Sequence, residues 1–597
     1  MAHTWAPLGL TIPSQTFTKG QSFDAQPKKV EAWIAALPRA HVGETSRLVY
    51  SALNEINRTD LPPDQRFAVL ELLFEPLDYV VKSLRKHFLG SPFPLSQKSA
   101  KVAALVRELS AEYASGYKII VETLLSSRSH SPDNRLMARS LYRAVEYLSL
   151  LAFNCYQTYS PHSTGTWLDI HKLYGFARAA NIHRTSLSDL QHMFLQPDNL
   201  DDLYKQQLLL ALVNPYQLSQ DDVDAIRACL SFWSGYAVLT QSDGNHESAG
   251  LFAVNLAMDG PPAYYAHYTG QHGDCLVLDT TELATYVRQL VRHGGAEHIT
   301  IATGDSARRL SKDTVKRMLL SWGSLSKRTF RRRGTRAQTS VIIGLSAIHD
   351  ALRGLGAKRG RGSRAEPLSV DLSSTFTSQA IVGADGSGAY PEIWDFTAAS
   401  QTELRHEKDG SFSRVQKRQE LNRVTPSSVD IQTFNVTNES AGGYCLLWKQ
   451  KLSGNLKVGE LLYMRGSDDD REAYNICVVR WMKNIGDMMV MGVEILAAGA
   501  ESVAVRLVDA SEQRSTTYTR GLILPAVDAL QRPATLVTST MFRSGDAVVL
   551  KSAAGERTAK LEGMSQLTAT FKQFRFVCEH ETTAAESKSF ESIWSSI

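Results

Sequence analysis

The sequence predicts a multidomain α+β protein: an all-α N-terminal region, a mixed α/β middle unit and a C-terminal part built of antiparallel β-strands. Three observations predict it. A chain of 597 residues exceeds what one ordinary hydrophobic core can organise. As far as about Phe232 the apolar residues recur with a period near 3.6, the spacing of one face of a helix. Beyond about Thr240 they come instead in short β-branched and aromatic runs between turn residues, the texture of strands.

The elements follow in order. A leader of residues 1–27 reads as loose. In the helical region of residues 28–235, Leu48, Ala52, Leu53 and Ile56 share one face, and Leu141, Val145, Leu148, Ala152 and Cys155 make a second stripe. Pro62-Pro63, Pro76, Pro132, Pro161, Pro197 and Pro215 mark or neighbour helix boundaries. No repeat of fixed period is present, so the reading is a bundle or irregular array rather than a solenoid. In the mixed unit of residues 240–325, residues 250–257, 263–268 and 275–279 read as strands. A helix follows from Thr281, capped by Asp279 or Thr280, then a second capped by Ser311 with Val315, Met318, Leu319 and Trp322 as its buried stripe. Residues 326–352 carry an arginine-rich run and a strand, Thr339 to Gly344. Residues 353–427, with two glycine-rich stretches, read as a flexible insertion. Strands resume across residues 428–500 and again across 501–580, either extending one barrel or forming a second small one. A loose tail, 581–597, is expected.

Composition narrows the function. Apolar content of 43% and charged content of 21% are those of a folded protein. A net charge of +4 argues against bulk nucleic-acid binding and against strong attraction to a membrane surface. The six cysteines lack any Cys-x-x-Cys pair and read as reduced interior thiols. No apolar run of membrane-spanning length and no signal-like N-terminus is present, so a cytoplasmic location is expected, with no membrane insertion.

Catalytic signatures are missing. His162, His171, His183 and His192 never stand four apart, the spacing that sets two imidazoles on one helical face as metal ligands, and no metal is expected. Trp33, Trp167 and Trp233 read as core anchors. The glycines from Gly383 to Gly388 lack the Lys-(Ser/Thr) of a phosphate loop, and Ser387 lacks a nucleophile elbow. A non-catalytic protein without a cofactor is expected.

The most informative stretch runs from Asn438 to Leu496. Asn438-Glu439-Ser440-Ala441-Gly442-Gly443 sets side chains that hydrogen-bond local backbone beside two glycines, which let a ligand approach the main chain. The pattern Asn438-x-Ser440-x-x-Gly443 resembles the (Asp/Asn)-x-Ser-x-x-Gly signature of PilZ domains, small β-barrel receptors for the bacterial messenger cyclic di-GMP. Gly459 within Val-Gly-Glu-Leu-Leu, Val478-Val479-Arg480-Trp481 and Gly492-Val493-Glu494 fit the same family in order. The resemblance covers about Asp430 to Ala497.

The resemblance implies a PilZ-like antiparallel barrel with additional strands, and a second half of the site, Arg-x-x-x-Arg, ahead of it. A guanidinium can fork onto phosphate or a guanine edge and stack on a purine face, where lysine supplies only charge. Two pairs fit the spacing. Arg332 and Arg336 run directly into the strand at Thr339, which is the family's order, at the cost of a long insertion between first and second barrel strands. Arg414 and Arg418 lie closer to the loop but are followed by a poor strand sequence. The first pair is preferred; the second stands as the alternative.

The implied function is a cytoplasmic bacterial receptor and effector. Cyclic di-GMP binds Arg332, Arg336, Asn438, Ser440 and Gly443, and the signal passes to a protein partner through the helical N-terminal region, in surface attachment, motility, pili or biofilm control. Two other readings remain: an interaction scaffold whose barrel binds no ligand, and an RNA or single-strand binder using Arg328 to Arg336.

Overall fold

The structure, a computed structural model, describes residues 6–583 apart from 19, 21, 128–133, 195, 243–249, 269–273, 296, 304–305, 324–331, 360–429, 450–455, 466–473, 487, 509–517, 527–532 and 554. These fall into two compact units. One comprises the described residues as far as 323 except 92–94; the other comprises 92–94 and those from 332 onward.

The first unit opens with helices α1 (Pro27–Ala35), α2 (Val42–Arg58), α3 (Pro63–Leu72), α4 (Phe74–Arg85), α5 (Gln97–Ser126), α6 (Asn134–Gln157), α7 (Thr166–Ala179), α8 (Leu200–Leu212) and α9 (Gln220–Trp233). Side chains start several of them: Ser96, Asn199 and Ser219 each accept from the amide three residues on, satisfying a donor the first turn leaves open. The stripe expected on α6 is buried, but so is most of the rest of that helix. Its charges are consequently paired. Arg143 grips Glu71 at 2.8 Å and Glu146 at 2.8 Å, and His192 lies 2.9 Å from Glu146. Trp167 and Trp233 are core residues, as expected.

The described part of the leader is held at Leu8, Leu10 and Thr11 rather than loose. Glu122 accepts from the backbone amides of Leu8 and Leu10, Asp169 accepts from Thr11, and Lys118 bridges the Thr11 carbonyl and Asp169. Side-chain charges on α5 and α7 hold an extended main chain, an interaction without hydrophobic periodicity for a reader of sequence to find.

The mixed part of this unit contains β1 (Val238–Gln241), β2 (Leu251–Asn255), β3 (Ala263–Tyr264) and β4 (Cys275–Asp279), in the antiparallel order β1-β4-β2-β3. Then come α10 (Thr281–His293), the hairpin β5 (His298–Thr303) and β6 (Ser306–Ser311), and α11 (Lys312–Gly323). Ser311 accepts from the Thr314 amide at 2.9 Å, the cap expected of α11; at the start of α10 the N-cap Thr280 makes no capping bond, and Asp279 accepts instead from the Thr281 amide at 2.8 Å. Phe252, Leu278, Val287, Leu310 and Trp322 join the helical residues in one continuous core. The Trp322 indole donates to the Leu209 carbonyl of α8 at 3.3 Å.

The second unit is two closed six-stranded antiparallel barrels. The first uses β7 (Arg333–Ile343), β8 (Gln432–Ser440), β9 (Gly443–Lys449), β10 (Leu461–Arg465), β11 (Tyr474–Ile485) and β12 (Met488–Ala498), closed by β7 pairing with β8 on one side and β10 on the other. The second uses β13 (Glu501–Leu507), β14 (Thr519–Leu524), β15 (Thr535–Thr538), β16 (Ala547–Ser552), β17 (Gly555–Leu567) and β18 (Lys572–Thr583). Of the two alternatives left open, the later strands thus form their own barrel. Strand β18 runs three residues past the expected start of the tail. Between β7 and β8 lies α12 (Leu345–Arg359), so residues 353–359 of the expected insertion are helical. Ile348 of α12 packs with Ile342, Leu461 and Val478 of one barrel and Leu522, Leu524 and Val537 of the other. Asp350 reaches Arg520 at 3.1 Å, and Thr570 donates to the Gly459 carbonyl at 2.9 Å.

Five cysteines are buried as expected, but Cys578 is exposed. Among the described residues no helix is long and apolar enough to cross a membrane.

Candidate functional site at the β7–β8–β9 end of the first barrel

Asn438 and Ser440 end β8, Gly443 begins β9, and Ala441-Gly442 is the two-residue turn between them. Ser440 pairs with Gly443 and its hydroxyl donates to the Gly443 carbonyl at 3.2 Å, closing the hairpin. A bulge at Thr437 interrupts the ladder, and the Thr437 hydroxyl donates to the Cys445 carbonyl at 3.1 Å. The bulge sets Asn438 opposite Cys445, so Asn438 and Ser440 project from the same face of the strand.

Gly443 is glycine for a spatial reason. On its far side it pairs with Glu494 of β12, and a Cβ there would stand 1.9 Å from the Val493 carbonyl oxygen. The Gly442 carbonyl accepts from the Ile495 amide at 3.0 Å, tying the turn to the same strand.

The arginines reach this turn through β7. In the antiparallel register Arg333 faces Glu439 and Gly334 faces Asn438, so one further step brings Arg332 level with Ser440. The ladder is then irregular between Gly334 and Ala337, and Arg336 lies in that irregular stretch. Both Arg332 and Arg336 are exposed. The strand therefore begins at Arg333, six residues before the expected start at Thr339. Exposed polar residues alternate along its first half, Thr335 and Ala337 against Arg336 and Gln338, which conceals strand character from a hydrophobicity reading. Arg414 and Arg418 lie outside the described residues.

The adjoining face of β11 and β12 is shaped by an irregular pairing. Arg480 is the extra residue of a bulge between Val479 and Trp481, and its Nε donates to Glu494 at 2.6 Å. Trp481 lies over Gly492 so closely that a Cβ on Gly492 would stand 1.9 Å from the indole nitrogen. Strand β8 falls within the strands expected from residue 428, and Phe434 and Val436, buried between Thr433, Asn435 and Thr437, carry its period-two signal.

Arranged this way, one barrel end presents two exposed guanidiniums, an Asn and a Ser side chain on one strand face, and a two-residue turn. That set can bind a flat polyanion bearing hydrogen-bonding edges. Comparisons with known proteins agree in order along the chain. Residues 28–244 match a model described as the N-terminal domain of the cyclic-di-GMP receptor FimW, 251–502 its middle PilZ domain, and 503–578 its C-terminal β-barrel domain. The chain is 29% identical over 581 residues to the cyclic-di-GMP receptor FimW of Pseudomonas aeruginosa, covering 95% of this chain and 93% of that protein. No solved structure matches. The three matches follow one another from residue 28 to 578, and the middle one contains β7 to β12 and the turn just described; the chain belongs to the PilZ-domain proteins, with the three-part organisation of FimW.

Proposed function

We propose that this chain is a receptor for cyclic di-GMP and binds it with Arg332, Arg336, Asn438, Ser440 and Gly443. The observation that carries this reading is the β7–β8 register, in which Arg332 comes level with Ser440 beside the match of residues 251–502 to a PilZ domain. The chemistry is complementary. Arg332 precedes the strand and Arg336 lies in an irregular stretch of it, so both side chains can swing onto phosphates or guanine edges while Ser440 and the turn amides hold the other side. Arg414 and Arg418 remain the alternative pair.

The activity is binding rather than catalysis. Ordering of the arginines against the turn changes the surface around the barrel, and a protein partner reads that change through the helical N-terminal region. The setting is the bacterial cytoplasm, with an output in attachment, motility, pili or biofilm formation. The working division of the chain is helical 28–235, mixed 240–325, arginine segment and first barrel strand 326–352, insertion 353–427, the rest of the first barrel 428–500 and second barrel 501–580.

Titration calorimetry of the full chain with cyclic di-GMP, with GTP as specificity control, tests the reading. Saturable heat with the cyclic dinucleotide alone, weakened in Ser440→Ala and in Arg332→Ala but not in Arg414→Ala, is expected. Loss in Arg414→Ala with none in Arg332→Ala transfers the site to the alternative pair. Absence of heat in the wild type overturns the receptor reading and leaves the barrel as architecture.

A further inference from the structure

Two arginines of the helical region share a setting that ion pairing does not explain. Arg85 ends α4 and Arg227 lies on α9. The Arg85 guanidinium carbon stands 5.1 Å from the ring centroids of both Phe153 and Phe194, and that of Arg227 stands 4.8 Å from both. Arg85 is 4% exposed and Arg227 6%.

The surrounding charges leave this pair under-compensated. Arg85 donates to the Asn154 side chain at 2.6 Å and lies 4.0 Å from Asp224, whose carboxylate is 39% exposed. Glu146, the next acid, is already held by Arg143 and His192. The Arg227 backbone carbonyl accepts from the Gln206 side chain at 3.0 Å. Its Nη2 is buried and has no acceptor among the described residues. Burial pushes both guanidiniums down to about 10, and at Arg85 the charge of Arg227 adds to it. A ring face returns only part of the hydration that a guanidinium loses on burial, and two cations beside one partly solvated carboxylate keep an excess of positive charge.

We propose that Arg85 and Arg227, backed by Phe153 and Phe194, form a binding site for an oxyanion, a phosphate or carboxylate group that accepts from the free Nη2 edge of Arg227. The guanidinium fork matches both groups, and the aromatic pair supplies a dry wall that strengthens such a bond. Its elements are α4, α6, α9 and the segment carrying Phe194, so an anion bound there closes contacts among three helices. The site is separate from the barrel and does not depend on how the barrel binds its ligand.

Thermal unfolding of the full chain, followed by fluorescence at constant ionic strength, tests the proposal with phosphate and with acetate replacing chloride as probes. The expected result is a saturable upward shift of the midpoint in phosphate, acetate or both, lost in Arg227→Met and reduced in Arg85→Met. Persistence of the shift in the double variant Arg332→Ala with Arg336→Ala is also expected, because those residues belong to the barrel. Equal midpoints in all three salts overturn the proposal. So does a shift undiminished in both Met variants, or one abolished by the barrel variant. Should a Met variant fail to fold, Arg227→Lys keeps the charge but not the fork, and must show a weakened shift at the same salt concentrations.

Discussion

Glu460, between β9 and β10 of the first barrel, offers the most quantitative test of the structure. The residue is only 9% exposed. The backbone around it is committed elsewhere: the Glu460 carbonyl accepts from the Val479 amide at 2.9 Å, and its neighbour Gly459 accepts from Thr570 of the second barrel at 2.9 Å. Burial is the dominant influence and raises the carboxyl from the ordinary 4.5 to about 7; the Leu461 amide, Lys457 and Thr570 oppose it only in part. A folded pKa above the unfolded one means that the folded state binds the extra proton. Stability is therefore full below about pH 4.5 and falls as pH rises through about 7. At about 1.4 kcal/mol for each tenfold change in proton affinity, the whole loss is about 3 kcal/mol. Glu460→Gln removes the charge and keeps an acceptor for the Leu461 amide. The variant should match the wild type near pH 4.5 and exceed it by up to about 3 kcal/mol at pH 8 in urea unfolding followed on the second unit. The difference between the two proteins is the quantity to plot, because other groups cancel in it. A difference that stays flat from pH 4.5 to 8, or that grows towards acid pH, would falsify the assignment of a buried, neutral Glu460.

Three further substitutions follow from particular contacts. Gly443→Ala drives a methyl group to 1.9 Å from the Val493 carbonyl oxygen, so β9 must separate from β12; a loss of about 1–3 kcal/mol in unfolding free energy and weakened cyclic di-GMP binding are expected, and an unchanged Kd would count against a ligand resting on this turn. Gly492→Ala displaces the Trp481 indole, which should shift the tryptophan emission maximum to the red at little cost to the far-ultraviolet dichroism; an unaltered spectrum refutes the stacked arrangement. Lys118→Met leaves Asp169 buried without its cation and removes the donor to Thr11, so a loss of about 3–5 kcal/mol and faster proteolysis within residues 6–20 are expected, with wild-type cleavage rates as the contrary result.

How far the sequence discloses such a molecule depends on whether the deciding interaction repeats. Helices and most strands are legible because burial imposes a period: the stripes on α2 and α6, and the apolar runs of β9 to β12, are one-dimensional records of a buried face. The turn at Asn438–Gly443 is legible for another reason, since its side chains act on backbone only two or three residues away. What sequence conceals is non-repeating. The Thr437 bulge, the Arg480 bulge and the irregular stretch holding Arg336 each change which way a side chain faces by adding one residue, and no periodic signal announces that addition. The docked leader is hidden likewise: Glu122 and Asp169 read as helix-surface acids until Leu8, Leu10 and Thr11 are brought to them from more than a hundred residues away.

The order of the first barrel turns on the same distinction between local and distant contacts. Strands β7 and β8 are neighbours in space, yet the whole stretch 344–431 lies between them in sequence. The entropic cost of closing a loop rises only with the logarithm of its length, so an insertion of this size adds little to the cost of pairing β7 with β8. It must still leave the barrel without disturbing the strand ends. Gly344 makes that exit in the left-handed region, at φ 90°, and its amide donates to the Leu461 carbonyl of β10 at 2.9 Å. The chain then enters α12, whose Ile348 is wholly buried and whose Asp350 is tied to Arg520. The helix thus anchors the start of the insertion in the core shared by the two barrels. Arg332 and Arg336, towards the opposite end of β7, lie outside this buried cluster. The two ends of one strand consequently differ: Arg332 and Arg336 at one end are exposed, and the helix that follows the other end is fixed by burial.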